Sequence, residues 1–167
     1  MKAYRFTWMS PLGKLHLIAS DQELFCLAFD QNCHACQSRL GISEVSERPN
    51  SVIERAQQEL SEYFAGKRRD FSVPINLQGT IFQKRAWEAL QRIPFGATIS
   101  YGEQAKDLGI AAAVRATGTA NGRNPIAIIV PCHRVVRSDG SLGGYAGGVE
   151  FKARLLELES RFQLPAP

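Results

Sequence analysis

The sequence is short of the features that would tie it to a membrane, to secretion or to a nucleotide cofactor. Only four of its 167 residues are cysteine, too few to suggest a disulfide framework in a chain of this length. No stretch approaches the ~18 consecutive apolar residues of a membrane span. Met1 to Ser10 lacks the apolar core of a signal peptide. A cytoplasmic or other reducing compartment is the expected location, and no membrane is an expected partner. There is no internal repeat, no low-complexity tract and no nucleotide-binding glycine motif, so no cofactor is expected. What remains is 44% hydrophobic and 22% charged, the composition of a soluble globular chain with room for one domain or two small ones.

Charge is scarce in one half only. Residues 1–79 carry 9 Lys+Arg against 9 Asp+Glu, whereas residues 80–167 carry 11 against 7. All of the +4 excess sits in the second half. A mildly basic surface suits an anionic partner such as nucleic acid, although a solvated surface explains it equally well.

The two halves also differ in pattern, and together they predict an α+β chain. Lys2 to Trp8 and Lys14 to Ser20 read as strands flanking the Ser10-Pro11-Leu12-Gly13 turn, and Glu23 to Asp30 as a third. Residues 31–50 read as a polar connection. Ser51 with Glu54 forms a capping-box pattern, and Gly66 marks a helix end. Asp70 to Val73 reads as a further strand stopped at Pro74, and Val73 to Thr80 as a linker. Domains of 1–75 and 80–167 are expected. In the second half, Thr80-Ile81-Phe82-Gln83 and Ser100-Tyr101-Gly102-Glu103 open two helices, the latter stopped at Gly109. A helix over about Ala111 to Asn121 completes a helix-turn-helix pattern. A last helix spans about Val149 to Ser160.

The most informative segment is Pro131-Cys132-His133-Arg134-Val135-Val136. A thiol stands beside an imidazole, with Arg134 and Arg137 close by, and such surroundings lower a thiol's pKa toward the reactive thiolate. The apolar run Ile126 to Val130 reads as a buried strand delivering that nucleophile. Adjacent residues of a strand point to opposite faces, so contact between Cys132 and His133 needs a turn at Cys132 or a bridging water. The ordinary alternative is a small buried cysteine beside a structural histidine. The helix-turn-helix has its own ordinary alternative, since Arg115 stands alone among small side chains where a major-groove reader carries several polar ones. Cys26, Cys33, His34 and Cys36 could make a zinc site, but Cys26 in a strand is more simply a buried apolar residue, and no metal is assigned.

Taken together and in order, Ile99-Ser100-Tyr101, Val114-Arg115-Ala116, Asn124-Pro125-Ile126, Pro131 to Val136, Gly143-Gly144-Tyr145 and Glu159 resemble the O6-alkylguanine-DNA alkyltransferase family. The likeness is strong over about 80–162 and loose before that. It implies an N-terminal ribonuclease-H-like antiparallel sheet with a helix, joined to a mostly helical domain with a winged-helix-like helix-turn-helix. It implies that Cys132 accepts the alkyl group, that His133 reaches it through a water and takes its proton, and that Glu159 orients the imidazole. Tyr101 would give its phenol proton to the guanine ring, and Asn124 would tie the recognition helix to the active-site strand. Arg115 would fill the gap left by an extruded nucleotide. Tyr145 and the glycine loop would wall the base pocket, and Ala113, Val114, Gly118 and Ala146 would join the substrate and DNA contacts. Val114 stands where the family often has alanine, and Ala146 where some relatives have a hydroxyl. The expected partner is double-stranded DNA carrying O6-alkylguanine, with O4-alkylthymine an open second substrate. A monomer is expected, with clustering on DNA left open. The rivals are a base-binding module that recruits other repair factors and a helix-turn-helix regulator.

Overall fold

The computed structural model describes residues 2–163; the expected domain limits at residues 1 and 167 lie outside them. The chain folds as two compact units. The first holds residues up to Gln78 plus Pro125–Ala127, and the second holds Gly79–Asn124 and the chain from Ile128 onward.

In the first unit, β1 (Lys2–Ser10), β2 (Gly13–Ala19) and β3 (Leu24–Phe29) form the expected antiparallel meander. All six residues of β3 are buried. The 31–50 connection is more ordered than its polar composition suggests. It folds into helix α1 (Cys33–Arg39) and a short strand β4 (Glu44–Ser46) that pairs parallel with β1, giving a mixed sheet of order β3-β2-β1-β4. Cys26 of β3 and Cys36 of α1 are joined as a disulfide, a single bridge where the cysteine count suggested no disulfide framework.

Helix α2 (Ser51–Phe64) starts one residue earlier than the Ser51 capping box predicted. Asn50 accepts from the Ile53 N–H at 3.1 Å and gives its own amide to Ser20 O at 2.7 Å. Asparagine caps as well as serine does, and the second bond decides between them. The helix closes on Gly66 at φ +74, with Gly66 N bonded to Tyr63 O and Lys67 N to Glu62 O, the Schellman pattern that only a residue free to take positive φ accepts without strain. The strand expected at Asp70–Val73 does not form. The Ser72 and Val73 N–H groups are both taken by the Glu59 carboxylate, so only Ile75 reaches Leu24 of β3. Pro125–Ala127 cover the same edge through Leu27.

In the second unit, α3 (Ile81–Gln91) carries the predicted box, with Thr80 and Gln83 capping each other. Strand β5 (Ile99–Ser100) leads into α4 (Tyr101–Asp107), whose Ser100–Glu103 box is also formed. Helix α5 (Val114–Gly122) begins later than Ala111, because residues 110–113 are spent on the turn that leaves α4 and no side chain caps them. A buried amide pair sets the α4–α5 geometry: Gln104 Nε2 donates to Asn121 Oδ1 at 3.0 Å, and Asn121 Nδ2 returns a bond at 2.7 Å. Buried Trp87 of α3 donates its indole N–H to Ala120 O. Strand β6 (Val135–Val136) pairs parallel with β5, and α6 (Val149–Phe162) closes the unit.

Candidate active site

Cys132 is not delivered by a strand. The run Ile126 to Val130 is a buried turn, with Ile128 at φ +70. A β-branched residue there is strained by about 1–3 kcal/mol. Cys132 follows as the first residue of a one-turn 3-10 helix, Cys132–Arg134, its N–H bonded to Val130 O. A five-residue apolar run cannot by itself distinguish a strand from a buried turn. Asn124 holds the corner. Its Nδ2 donates to Val130 O at 2.7 Å and to the Cys132 Sγ at 3.2 Å.

Behind the sulfur lies a buried charge cluster. His133 is fully buried, and its Nε2 is 2.7 Å from Glu159 Oε1, itself 1% exposed. Arg134 donates to both Glu159 oxygens from Nε and to Oε1 from Nη2, and from Nη1 to Ile93 O. Burial alone would raise the Glu159 pKa, but the bonds and charges of His133 and Arg134 outweigh it and hold the carboxyl at about 2. Burial dominates for His133 and pushes its pKa below the ordinary imidazole value, Glu159 opposing. The ring is therefore neutral at pH 7. Because an ionised carboxylate only accepts, Nε2 carries the proton and Nδ1 is left with a lone pair. Among the described residues that buried Nδ1 has no hydrogen-bond partner.

Cys132 itself is 7% exposed. Burial raises its thiol pKa, with the Asn124 bond and the Lys152 charge pulling the other way. The resting sulfur is thus a protonated thiol, which corrects the expectation of a thiolate stabilised by Arg134 and Arg137. Arg134 is committed to Glu159, and the positive charge that acts on the sulfur comes from Lys152.

Lys152 of α6 is fully buried, and no carboxylate pairs with it among the described residues. Its ammonium donates to Leu142 O, to Gly144 O at 3.2 Å and to the Tyr101 hydroxyl at 3.4 Å. Burial lowers its pKa to about 8. The glycine loop fits around the same phenol. Gly143 sits at φ +72, and a Cβ there would lie 3.0 Å from the Tyr101 oxygen. Gly118 of α5 approaches the other part of the ring, with a Cβ position 3.7 Å away.

Cys132, Tyr101, Tyr145, Ala146, Val114, Arg115 and Gly118 line one cavity of about 800 Å³, with Arg137, Gly143 and Gly144. Ala113 does not. It caps α5 and lines a neighbouring groove of about 660 Å³ beside Phe82 and Arg123. His133 and Glu159 lie beneath the surface, and Asn124 bonds the sulfur without lining the cavity.

Comparison with known proteins identifies the family. Residues 81–161 match the family described as 6-O-methylguanine DNA methyltransferase, DNA binding domain, and residues 3–77 match its ribonuclease-like domain. A methylated-DNA–protein-cysteine methyltransferase of Mycolicibacterium paratuberculosis is 45% identical over 152 residues, 91% of this chain and 89% of the relative. This chain belongs to the 6-O-methylguanine DNA methyltransferase family. The constitutive methylated-DNA–protein-cysteine methyltransferase of Bacillus subtilis is 42% identical over 159 residues, 93% of this chain and 94% of the relative. The crystal structure of Mycobacterium tuberculosis OGT in complex with DNA superposes with a TM-score of 0.86 at 42% identity, covering 95% of this chain and 94% of that one.

Two residues of this methyltransferase site went unread in the sequence. Arg134 was visible in the motif but was assigned to the sulfur rather than to the carboxylate. Lys152 gave one weak signal, a lysine close to apolar Val149 and Phe151 and three positions before Leu155 at the start of an amphipathic helix. Lysine in such a place reads as surface until the fold closes over it.

Proposed function

We propose that this chain repairs duplex DNA by moving the alkyl group of O6-alkylguanine onto Cys132, once per protein molecule. The observation that carries the reading is the Cys132 sulfur opening into a cavity roomy enough for a base, with a neutral, carboxylate-anchored imidazole behind it. That imidazole keeps one nitrogen lone pair to receive a proton.

The target oxygen faces the inside of the base stack, so the nucleotide is extruded into the cavity, at a cost of a few kcal/mol. Arg115 on α5 enters the gap, and phosphate contacts from the basic half offset the cost, which makes binding salt-dependent and largely indifferent to sequence. Binding drives the Cys132 proton through a water to His133 Nδ1, and Glu159 stabilises the imidazolium that forms. The thiolate attacks the alkyl carbon, a carbon–sulfur bond forms and the carbon–oxygen bond breaks. Tyr101 gives its phenol proton to the guanine ring as it leaves, and Lys152, hydrogen-bonded to that phenol, replaces it. The thioether product cannot be exchanged by cellular thiols as a disulfide is, so the protein acts as a single-use reagent.

The test is a duplex carrying one O6-methylguanine, supplied in excess over the protein, with repaired lesions counted and the protein weighed by mass spectrometry. The expected result is one methyl group on Cys132 and a 1:1 end point. Continued turnover, or an unmodified protein, would defeat the reading. Cys132→Ser is expected to bind the duplex and transfer nothing; if it still clears the lesion, another residue is the acceptor.

A further inference from the structure

We propose that Arg137 is the anion-binding residue of the base cavity, taking either a carboxylate carried on the O6 substituent or the phosphodiester of the extruded nucleotide. This rests on the alkyl-transfer reading and adds to it a class of substrate or contact that the transfer chemistry does not require.

Arg137 lines the same cavity as Cys132 and Tyr101. Its backbone is fixed, the N–H bonded to Ser141 O and the carbonyl accepting from Gly140 N, both at 2.9 Å. Its exposed guanidinium has no ion pair or side-chain hydrogen bond among the described residues. Asp139, the nearest acid in the chain, spends one carboxylate oxygen on the Ser141 N–H and hydroxyl and feels the Arg137 charge through space, without a hydrogen bond or ion pair to it. No Asp or Glu lines the cavity at all, and Arg115 is its one other cation. Arg137 is close enough to act electrostatically on both Tyr101 and Lys152. A planar fork of donors on a pinned turn, facing a cavity without acids, matches a carboxylate or phosphate in two-point fashion. The cavity's ~800 Å³ lies toward the upper end of the range for small-molecule sites, which leaves room for a substituent longer than methyl.

The experiment compares single-turnover transfer from O6-methylguanine and O6-carboxymethylguanine. Each is presented in a duplex and as the free nucleobase, which has no phosphate, to the wild-type chain, Arg137→Gln and Arg137→Lys. If Arg137 takes the substituent, Arg137→Gln lowers the carboxymethyl-to-methyl rate ratio by about tenfold in both forms, and Arg137→Lys recovers part of it. If it takes the phosphodiester, that ratio holds, the duplex-to-free-base ratio falls by about tenfold for both lesions, and the salt slope of duplex binding flattens by about one. Both ratios remaining within twofold of wild type overturns the assignment of Arg137 alone. Absence of any transfer by the wild-type chain overturns the alkyl-transfer reading and this one with it.

Discussion

Among the described residues each unit buries one carboxylate, and the two are solved differently. Glu59 in the first unit is 3% exposed and Glu159 in the second 1%. Burial pushes both pKa values up, and hydrogen bonds bring both below the ordinary carboxylate value. Glu59 is met by Ser72 N, Ser72 Oγ, Val73 N and Arg55 Nε. Its backbone and hydroxyl donors cannot ionise near neutral pH; the bonds tie a loop to a helix and end there. Glu159 is met by a guanidinium and by an imidazole that retains an unoccupied nitrogen. The same electrostatic device therefore fastens in one place and prepares a base in the other. What separates them is whether a partner can still change its protonation, not the depth of burial.

The comparison can be broken by experiment. Glu159→Gln is expected to lower the single-turnover rate roughly 10²–10⁴-fold, the span of a positioned acid–base group, measured per folded molecule. An unchanged rate would reduce Glu159 to a second Glu59. In stability, the folded Glu159 pKa of about 2 against 4.5 for the free carboxyl corresponds to about 3 kcal/mol. A depressed carboxyl stabilises above its unfolded pKa and loses that contribution as the pH falls from about 4.5 toward 2. Urea midpoints across that window should fall for the wild type and flatten for Glu159→Gln. Glu59→Gln is expected to cost about 1–3 kcal/mol in urea unfolding while the transfer rate per folded molecule stays within twofold. A rate loss there would show that the first unit reaches the chemistry. For Lys152, the rate should decline as the pH rises through about 8, where its ammonium deprotonates. Lys152→Gln should be slower, by about tenfold, and lack that limb; a limb that survives belongs to another group. The smallest effect is expected from Gly143→Ala, about 1 kcal/mol of stability from the positive φ, with slower transfer as the added carbon meets the Tyr101 oxygen.

Much of this was legible in the sequence where the code is local. The Thr80–Gln83 and Ser100–Glu103 boxes and the Gly66 and Gly109 stops lie where the residues indicated, because a cap depends on only a few neighbours. The Cys132, His133 and Glu159 set was legible only through the resemblance, since 26 residues separate His133 from Glu159 and no periodicity joins them. What misled were segments whose hydrogen bonds go to distant partners. Ser72 and Val73 look like strand but serve Glu59; Ile126 to Val130 look like strand but turn; Ser51 looks like a cap until Asn50 reaches Ser20. The state of the Cys132 sulfur was misjudged for a related reason. Sequence shows which charges are near in number, not that Arg134 turns away to a carboxylate and that Lys152, 20 positions on, is the cation the sulfur feels.

The low exposure of that sulfur has a consequence for a reagent that is spent in a single event. A thiolate open to solvent would be consumed by peroxide or stray electrophiles while it waited. Kept protonated and nearly buried at the floor of its cleft, it is a poor target for such encounters, and it is armed only once a damaged base has settled above it. Shelf life and reactivity are thereby assigned to two different moments in the protein's existence.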